Sequence, residues 1–207
     1  MYIFRRTSTL KPDHMLDGLA YAVEIAARVT TVIGREVSVY NTTFGAPFGT
    51  VNWTIRVESL SDLEDLVAKL GVDSGYLEAV QSGSAMFSTL PSDSVLNIVS
   101  STFEGTPQRY VGVTQAVPTD GKIIEAVTWG VKVQTHCATS GRPTAFGTSP
   151  FGPFGAVAWL VGGSSMADVD TFQQFISTDA TFATMLSEGG GLFQPGTAHN
   201  TLIERIN

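Results

Sequence analysis

A chain of 207 residues with 43% hydrophobic and 15% charged side chains has ample apolar content for a packed core, which excludes intrinsic disorder. A formal charge of −7, with no basic cluster beyond the pair Arg5-Arg6, argues against binding nucleic acid through phosphates. The longest apolar stretch, Phe151 to Gly163, carries four glycines and one proline and is too short to span a bilayer, so no membrane partner is expected.

In chain order, Tyr2 to Leu10 predicts a strand, broken by Lys11-Pro12-Asp13. Asp13 is placed to cap a helix whose stripe runs Leu16, Leu19, Ala20, Val23, Ala26, Ala27, Thr30 and Ile33, with Gly34 as its stop. Glu36 to Thr42 predicts a second strand. Val51, Trp53, Ile55 and Val57 then alternate with Asn52, Thr54, Arg56 and Glu58, a period-two pattern that predicts a third. Ser61-Asp62-Leu63-Glu64 has the form of a capping box ahead of a helix. Asp73 opens a further helical piece that Gly83 ends, and Val95 to Val99 predicts a last strand. Strand, helix, strand, strand, helix, strand is the order of a ferredoxin-like βαββαβ unit, with both helices on one sheet face.

The pattern recurs. Pro47-Phe48-Gly49-Thr50-Val51-Asn52-Trp53 returns 106 positions later as Pro153-Phe154-Gly155-Ala156-Val157-Ala158-Trp159, and ten of the 41 positions from Pro47 to Phe87 are identical at that offset. At the same offset Pro118 matches Pro12, Ala126 matches Ala20 and Thr148 matches Thr42. The chain therefore reads as an α+β protein of two tandem ferredoxin-like repeats, 1–102 and 108–207, joined by a linker over 103–107. Helices cover only one face of each sheet. Pairing the two bare faces would close a barrel-type pseudo-dimer, within one chain or with another chain as a homo-oligomer.

The order of elements, Trp53 and Trp159 on the third strand of each repeat, and Asp73 and Asp179 opening the last helical turn together resemble the dimeric α/β-barrel superfamily. Ser177-Thr178-Asp179-Ala180-Thr181-Phe182, followed by Gly191-Leu192-Phe193, resembles the NIPSNAP and stress-responsive barrel group within it. The superfamily contains cofactor-free monooxygenases, haem-degrading monooxygenases and muconolactone isomerases, so the resemblance implies a small-molecule site and monooxygenase or isomerase chemistry. Haem-degrading members need a histidine on the helix after the third strand. Leu60 to Ser82 and Met166 to Glu188 contain none, so no haem is expected.

Catalytic motifs are sparse. His14, His136 and His199 match no metal-ligand spacing, and neither a Walker lysine nor HExxH, GxSxG or CxxC is present, so neither metal nor cofactor is expected. Cys137, the single cysteine, allows no intrachain disulfide and fits a reducing, cytoplasmic setting; Met1 to Arg6 lacks the order of a secretion signal. Beside His136 on a helix it points about 100° away, so the two form no catalytic pair.

The informative contrast lies in the third strand. Asn52, Thr54 and Arg56 correspond to Ala158, Leu160 and Gly162, polar in one copy and apolar in the other. If that face lines a cavity, Arg56 and Asn52 would hold an oxyanion and Tyr40 or a histidine would move a proton, beside an apolar or aromatic ligand. Ser38, Thr54 and Asn97 would hydrogen-bond to that ligand, with Arg6 a further candidate, while Trp53, Trp159 and Leu160 would wall it. The competing expectation is a non-catalytic assembly protein with a filled barrel and Trp53 and Trp159 packed in its core.

Overall fold

A computed structural model describes all 207 residues. The first repeat supplies β1 (Tyr2–Thr9), α1 (Met15–Ile33), β2 (Ser38–Phe44), β3 (Thr50–Val57), α2 (Leu60–Gly71), α3 (Ser74–Gly83) and β4 (Ser92–Ser101). The second supplies β5 (Tyr110–Ala116), α4 (Ile123–Ala138), β6 (Thr144–Thr148), β7 (Val157–Gly163), α5 (Met166–Thr178), α6 (Ala180–Glu188) and β8 (His199–Arg205). The strands hydrogen-bond in the order β1-β3-β2-β8-β5-β7-β6-β4, a closed barrel. No helix is long and apolar enough to cross a membrane.

The chain forms two compact units, unit 1 (Met1–Val95 with Glu204–Asn207) and unit 2 (Leu96–Ile203). In unit 1, β3 lies antiparallel between β1 and β2. Val51, Ile55 and Val57 point to the helices and pack with Ala22, Ala26, Ile33 and Leu66. In unit 2, β7 lies between β5 and β6 in the same way, with Val157, Trp159 and Val161 on the helix side.

Both repeats start their second helix with the same cap. The Ser59 hydroxyl accepts from the Asp62 amide at 3.0 Å, and Ser165 accepts from Asp168 at 3.2 Å. The cap is thus Ser59, two residues before the Ser61 box expected from the sequence. Asp73 and Asp179 cap α3 and α6, each accepting at 2.6 Å from the amide three residues on. Asp13 caps nothing: a 3-10 turn over Pro12–His14 precedes α1. Gly34 closes α1 in the left-handed region at φ 72°, with its amide on the Thr30 carbonyl.

The Pro-Phe-Gly motif is a hairpin turn. Thr50 donates to the Pro47 carbonyl at 3.2 Å and Ala156 to Pro153 at 3.1 Å, while Gly49 and Gly155 take φ of 81° and 73°. The phenylalanines of the motif are exposed. Phe44, Phe48 and neighbouring Leu16 in unit 1 have exposed counterparts in Phe151, Phe154 and Ile124 of unit 2.

Pairing corrects the correspondence between the repeats. From β3 onward the offset is 106, as the sequence shows. In β1 and α1 it is 108: the isolated bridges Leu10 to Phe87 and Pro118 to Phe193 are equivalent, so Pro118 answers to Leu10 and not to Pro12. Ala126 likewise answers to Gly18, not Ala20. In β2 the offset is 107, because Val39 faces Trp53 as Phe146 faces Trp159, and Thr148 answers to Asn41. One residue is lost near the end of the first helix and another in the hairpin loop, where Ala46 has no counterpart.

On this alignment Ala22 with Val39 becomes Gly130 with Phe146, a small-for-large exchange between helix and strand. A Cβ on Gly130 would clash with the Phe146 ring. Gly130→Ala should therefore destabilise the protein by about 1–3 kcal/mol, although alanine is the better helix former by about 1 kcal/mol. Gly130→Ala with Phe146→Val should recover most of that loss. Urea unfolding of the two singles and the double checks this; additive effects would refute the coupling.

Candidate functional site

The face of the unit 1 sheet turned away from the helices is assembled by strand register. Thr7 and Tyr40 flank Asn52, Arg5 and Ser38 flank Thr54, and Ile3 faces Arg56. Residues directly opposite in an antiparallel ladder project to the same side, so these nine-odd ångströms of sheet width gather two arginines, a tyrosine, an asparagine and several hydroxyls.

Buried at the centre, Asn52 accepts from the Thr7 hydroxyl at 2.9 Å and donates through Nδ2 to the Thr42 hydroxyl at 3.3 Å, tying β3 to both neighbours. Tyr40 and Ser38 are buried too. Burial pushes the Tyr40 phenol above its usual value, against the opposing pull of Arg205, Arg56 and the Ser38 hydroxyl. Tyr40 is therefore an O–H donor at neutral pH and not a resting base. The Thr54 hydroxyl makes a long contact of 3.5 Å to the Ser38 carbonyl. Thr54, Arg56 and Arg5 remain partly accessible, so solvent-reachable space lies beside them. Glu36, at the entry to β2, is exposed and bound to Arg205 at 2.6 Å.

Two arginines next to each other in β1 have opposite roles. Arg6 points to the helix side, where its guanidinium holds Asp93 at 2.7 Å and reaches the Tyr76 hydroxyl at 3.4 Å. It is structural, and it is Arg5, absent from the sequence-based candidates, that shares the face with Thr54. The signal was available in the alternation of Tyr2, Phe4 and Arg6, but Ile3 on the other side blurred it.

Other candidates separate. Trp53 and Trp159 lie on the helix side with Val51 and Val157, and not on the face of Asn52 and Thr54. Trp53 Nε1 donates to the Ala22 carbonyl at 2.9 Å and Trp159 Nε1 to Gly130 at 3.0 Å. Each stacks edge-on with a phenylalanine of its own unit, Phe87 or Phe193. The indole N–H needs a buried partner and finds it in the helix, which explains why the rings cannot wall a ligand on the far side. Asn97 belongs to unit 2, where it pairs with Thr148. Leu160 faces Val113 and Ala145 on the helix-free face of unit 2.

That second face is poorer in polar groups, although Thr7 has a polar counterpart in Gln115, across from Ala158. Arg5, Ser38, Tyr40, Asn52, Thr54 and Arg56 answer to Val113, Ala145, Gly147, Ala158, Leu160 and Gly162. At Gly162 a side chain would strike Gln108 and Phe103 of the linker, and at Gly147 the Asn97 carbonyl at 2.6 Å.

The histidines are elsewhere. His136 Nε2 contacts Asp179 at 2.8 Å and is mostly buried against Phe175. Cys137 is buried, and desolvation pushes its thiol up to about 11, so it is a poor nucleophile. No group of three His, Cys, Asp or Glu side chains is placed to hold a metal ion. A separate open cleft of about 530 Å³ lies between α1 and α3, lined by Tyr21, Glu24, Arg28, Gly75 and Glu78 among others; Arg28 there is committed to Asp73 at 2.6 Å.

No protein-family model matches the chain, and no curated protein matches its sequence. Solved structures do. A candidate monooxygenase from Fusobacterium nucleatum aligns over 100% of this chain and 92% of its own, at 8% identity and a TM-score of 0.73. An anthrone oxidase-like protein aligns over 100% and 91%, at 12% identity and 0.65. A heme-degrading enzyme from Listeria monocytogenes aligns over 99% and 99%, at 10% identity and 0.53. These likenesses establish the fold: the chain has a dimeric α/β-barrel architecture, as the sequence resemblance implied.

The Tyr40 environment predicts a pH response. A phenol whose folded pKa is raised adds stability that is fully present below the unfolded value of about 10 and is lost as pH rises through the folded value. Stability should fall as pH rises above about 10 in urea titrations, and Tyr40→Phe should flatten that fall. Tyr21, pushed up to about 12 by burial, acts in the same direction, so some slope remains. Identical slopes for wild type and Tyr40→Phe would show that Tyr40 is not desolvated.

Proposed function

We propose that this chain is a small-molecule-binding protein of the cofactor-independent oxygenase type, and that its ligand, with an apolar or aromatic body, lies on the helix-free face of unit 1. The observation that carries the reading is the internal comparison. Unit 2 builds the same sheet with Val113, Ala145, Gly147, Ala158, Leu160 and Gly162 at the six positions where unit 1 has Arg5, Ser38, Tyr40, Asn52, Thr54 and Arg56. The fold therefore does not require those polar groups. Partly buried polar side chains that the fold does not need are the mark of a binding site.

The chemistry of the face narrows the reaction. It presents donors: guanidinium groups, the Tyr40 O–H and hydroxyls. Such a surface stabilises negative charge developing on a ligand oxygen. An isomerase would also need a resting base, and Tyr40 is held protonated. Oxygenation without a cofactor instead passes electrons to dioxygen from the substrate's own phenolate or enolate, formed by loss of its proton to solvent, and a donor-lined face favours that anion. Arg56 and Thr54 would contact the oxyanion, Tyr40 would donate to it, and Asn52 would position the strand beneath. The fold shared with an anthrone oxidase-like protein and a candidate monooxygenase supports the reading by analogy.

Titration with naphthols and anthrones, followed by tryptophan fluorescence and oxygen uptake, tests it. Thr54→Val with Arg56→Met should weaken binding on the order of tenfold or more, through loss of hydrogen bonds to a charged oxygen. Leu160→Thr in unit 2 should leave binding unchanged. Equal losses at both places, or no binding to the wild type, would overturn the proposal.

A further inference from the structure

We infer that Arg5 is an anion anchor, and that the ligand of the unit 1 face carries a fixed oxyanion such as a carboxylate on its apolar body. This rests on the reading of that face as a ligand site and goes beyond it, because it names the charge the ligand must bring. Five other arginines have a carboxylate: Arg6 with Asp93, Arg28 with Asp73, Arg35 with Asp62, Arg142 with Asp168 and Arg205 with Glu36. Arg5 has a hydroxyl instead. Its Nε donates to the Ser94 hydroxyl at 3.2 Å, which leaves the two Nη groups, with four N–H donors, directed at no protein acceptor. Burial draws its pKa down, with no acidic group raising it again.

A guanidinium stays charged in a protein, so this is a partly desolvated cation without a counter-charge. Such a group is expensive to keep and easy to lose. Val113, its counterpart in unit 2, shows that the position accepts an aliphatic side chain. Register places the anchor. Arg5 lies directly across from Thr54, whose other neighbour is Ser38, so the Arg5 and Ser38 backbones are two strand spacings, about 10 Å, apart. The guanidinium, held at Nε by Ser94 of β4, thus shares one sheet face with the Thr54 and Ser38 hydroxyls, on which an anionic group would lie. Bidentate pairing with a carboxylate is the geometry a guanidinium favours.

The experiment compares 2-naphthoate with 2-naphthamide, which share a body and differ in charge. Calorimetric titration of the wild-type protein should show naphthoate binding on the order of 10- to 100-fold more tightly. Arg5→Gln should abolish that preference by weakening naphthoate alone, and Arg5→Lys should keep part of it. Arg6→Gln, the same charge change on the opposite side of the strand, should leave the preference intact. The wild-type comparison needs no variant, so a folding defect in Arg5→Gln does not remove the test. If both probes bind equally to the wild type, the anion anchor is wrong while the ligand site stands. If Arg6→Gln erases the preference as Arg5→Gln does, the effect is one of net charge and the assignment to Arg5 fails. If neither probe binds, the ligand site and the anchor fall together.

Discussion

The indole N–H of the third strand, donated into a backbone carbonyl of the first helix, is the contact on which the rest of each unit depends. Trp53 reaches Ala22 and Trp159 reaches Gly130 across equivalent geometry. A buried N–H without a partner costs about 1–3 kcal/mol, so the bond holds the ring, and with it the strand, to the helix. Strand side chains alternate with period two, and a slip of one residue would turn every one of them over. Fixing the tryptophan therefore fixes which residues face the helices. It also fixes, with no further contact needed, that Asn52, Thr54 and Arg56 face the other way.

On the helix side the two units keep positions while changing residues. Tyr21 donates its hydroxyl to the Ala79 carbonyl, and Trp129 donates its indole N–H to the equivalent Met185 carbonyl. Each ring sits over a glycine that no other residue could replace without a clash, Gly83 or Gly189. Arg28 and His136 both hold the aspartate that caps the next helix, Asp73 or Asp179. Both aspartates are held below the usual carboxylate range, Asp73 chiefly by the Arg28 hydrogen bond and Asp179 chiefly by the Phe182 amide. Each change on this side has a compensating partner, as close packing demands.

Much of this was legible in the sequence. The alternation around Trp53 gave β3, the recurring pattern gave the element order, and the contrast of Asn52, Thr54 and Arg56 with Ala158, Leu160 and Gly162 marked the face on which the two units differ. What was hidden has specific causes. Two single-residue losses shift the register of the first helix and β2 relative to β3, so a fixed offset of 106 mispaired Pro12 with Pro118 and concealed that Arg5 answers to Val113. The alternation already put Trp53 with Val51, Ile55 and Val57 and away from Asn52, leaving core packing and a ligand wall as the two readings; the bond of each indole N–H to the first helix favours packing. The choice of Arg6 over Arg5 failed by one residue, which in a strand is the whole distance between one face and the other.

Two units built on the same strand pairing offer an internal control that a single domain lacks. On the helix side, where both copies must pack, substitutions come in compensated pairs. The helix-free face shows no such pairing in unit 1's favour: Val113, Ala145 and Leu160 do without the hydrogen bonds that Arg5, Ser38 and Thr54 make or offer, and the unit 2 sheet keeps the same register. Folding therefore exerts no pull toward the polar set, and desolvation exerts a push against it. For Arg5 the push is strongest, since a charge with only a neutral hydroxyl beside it is the least stable arrangement on that face. A residue held against such a push, in the one unit and not the other, is not explained by folding alone, and on a surface made of donors that is the ground for proposing an oxygen-bearing ligand.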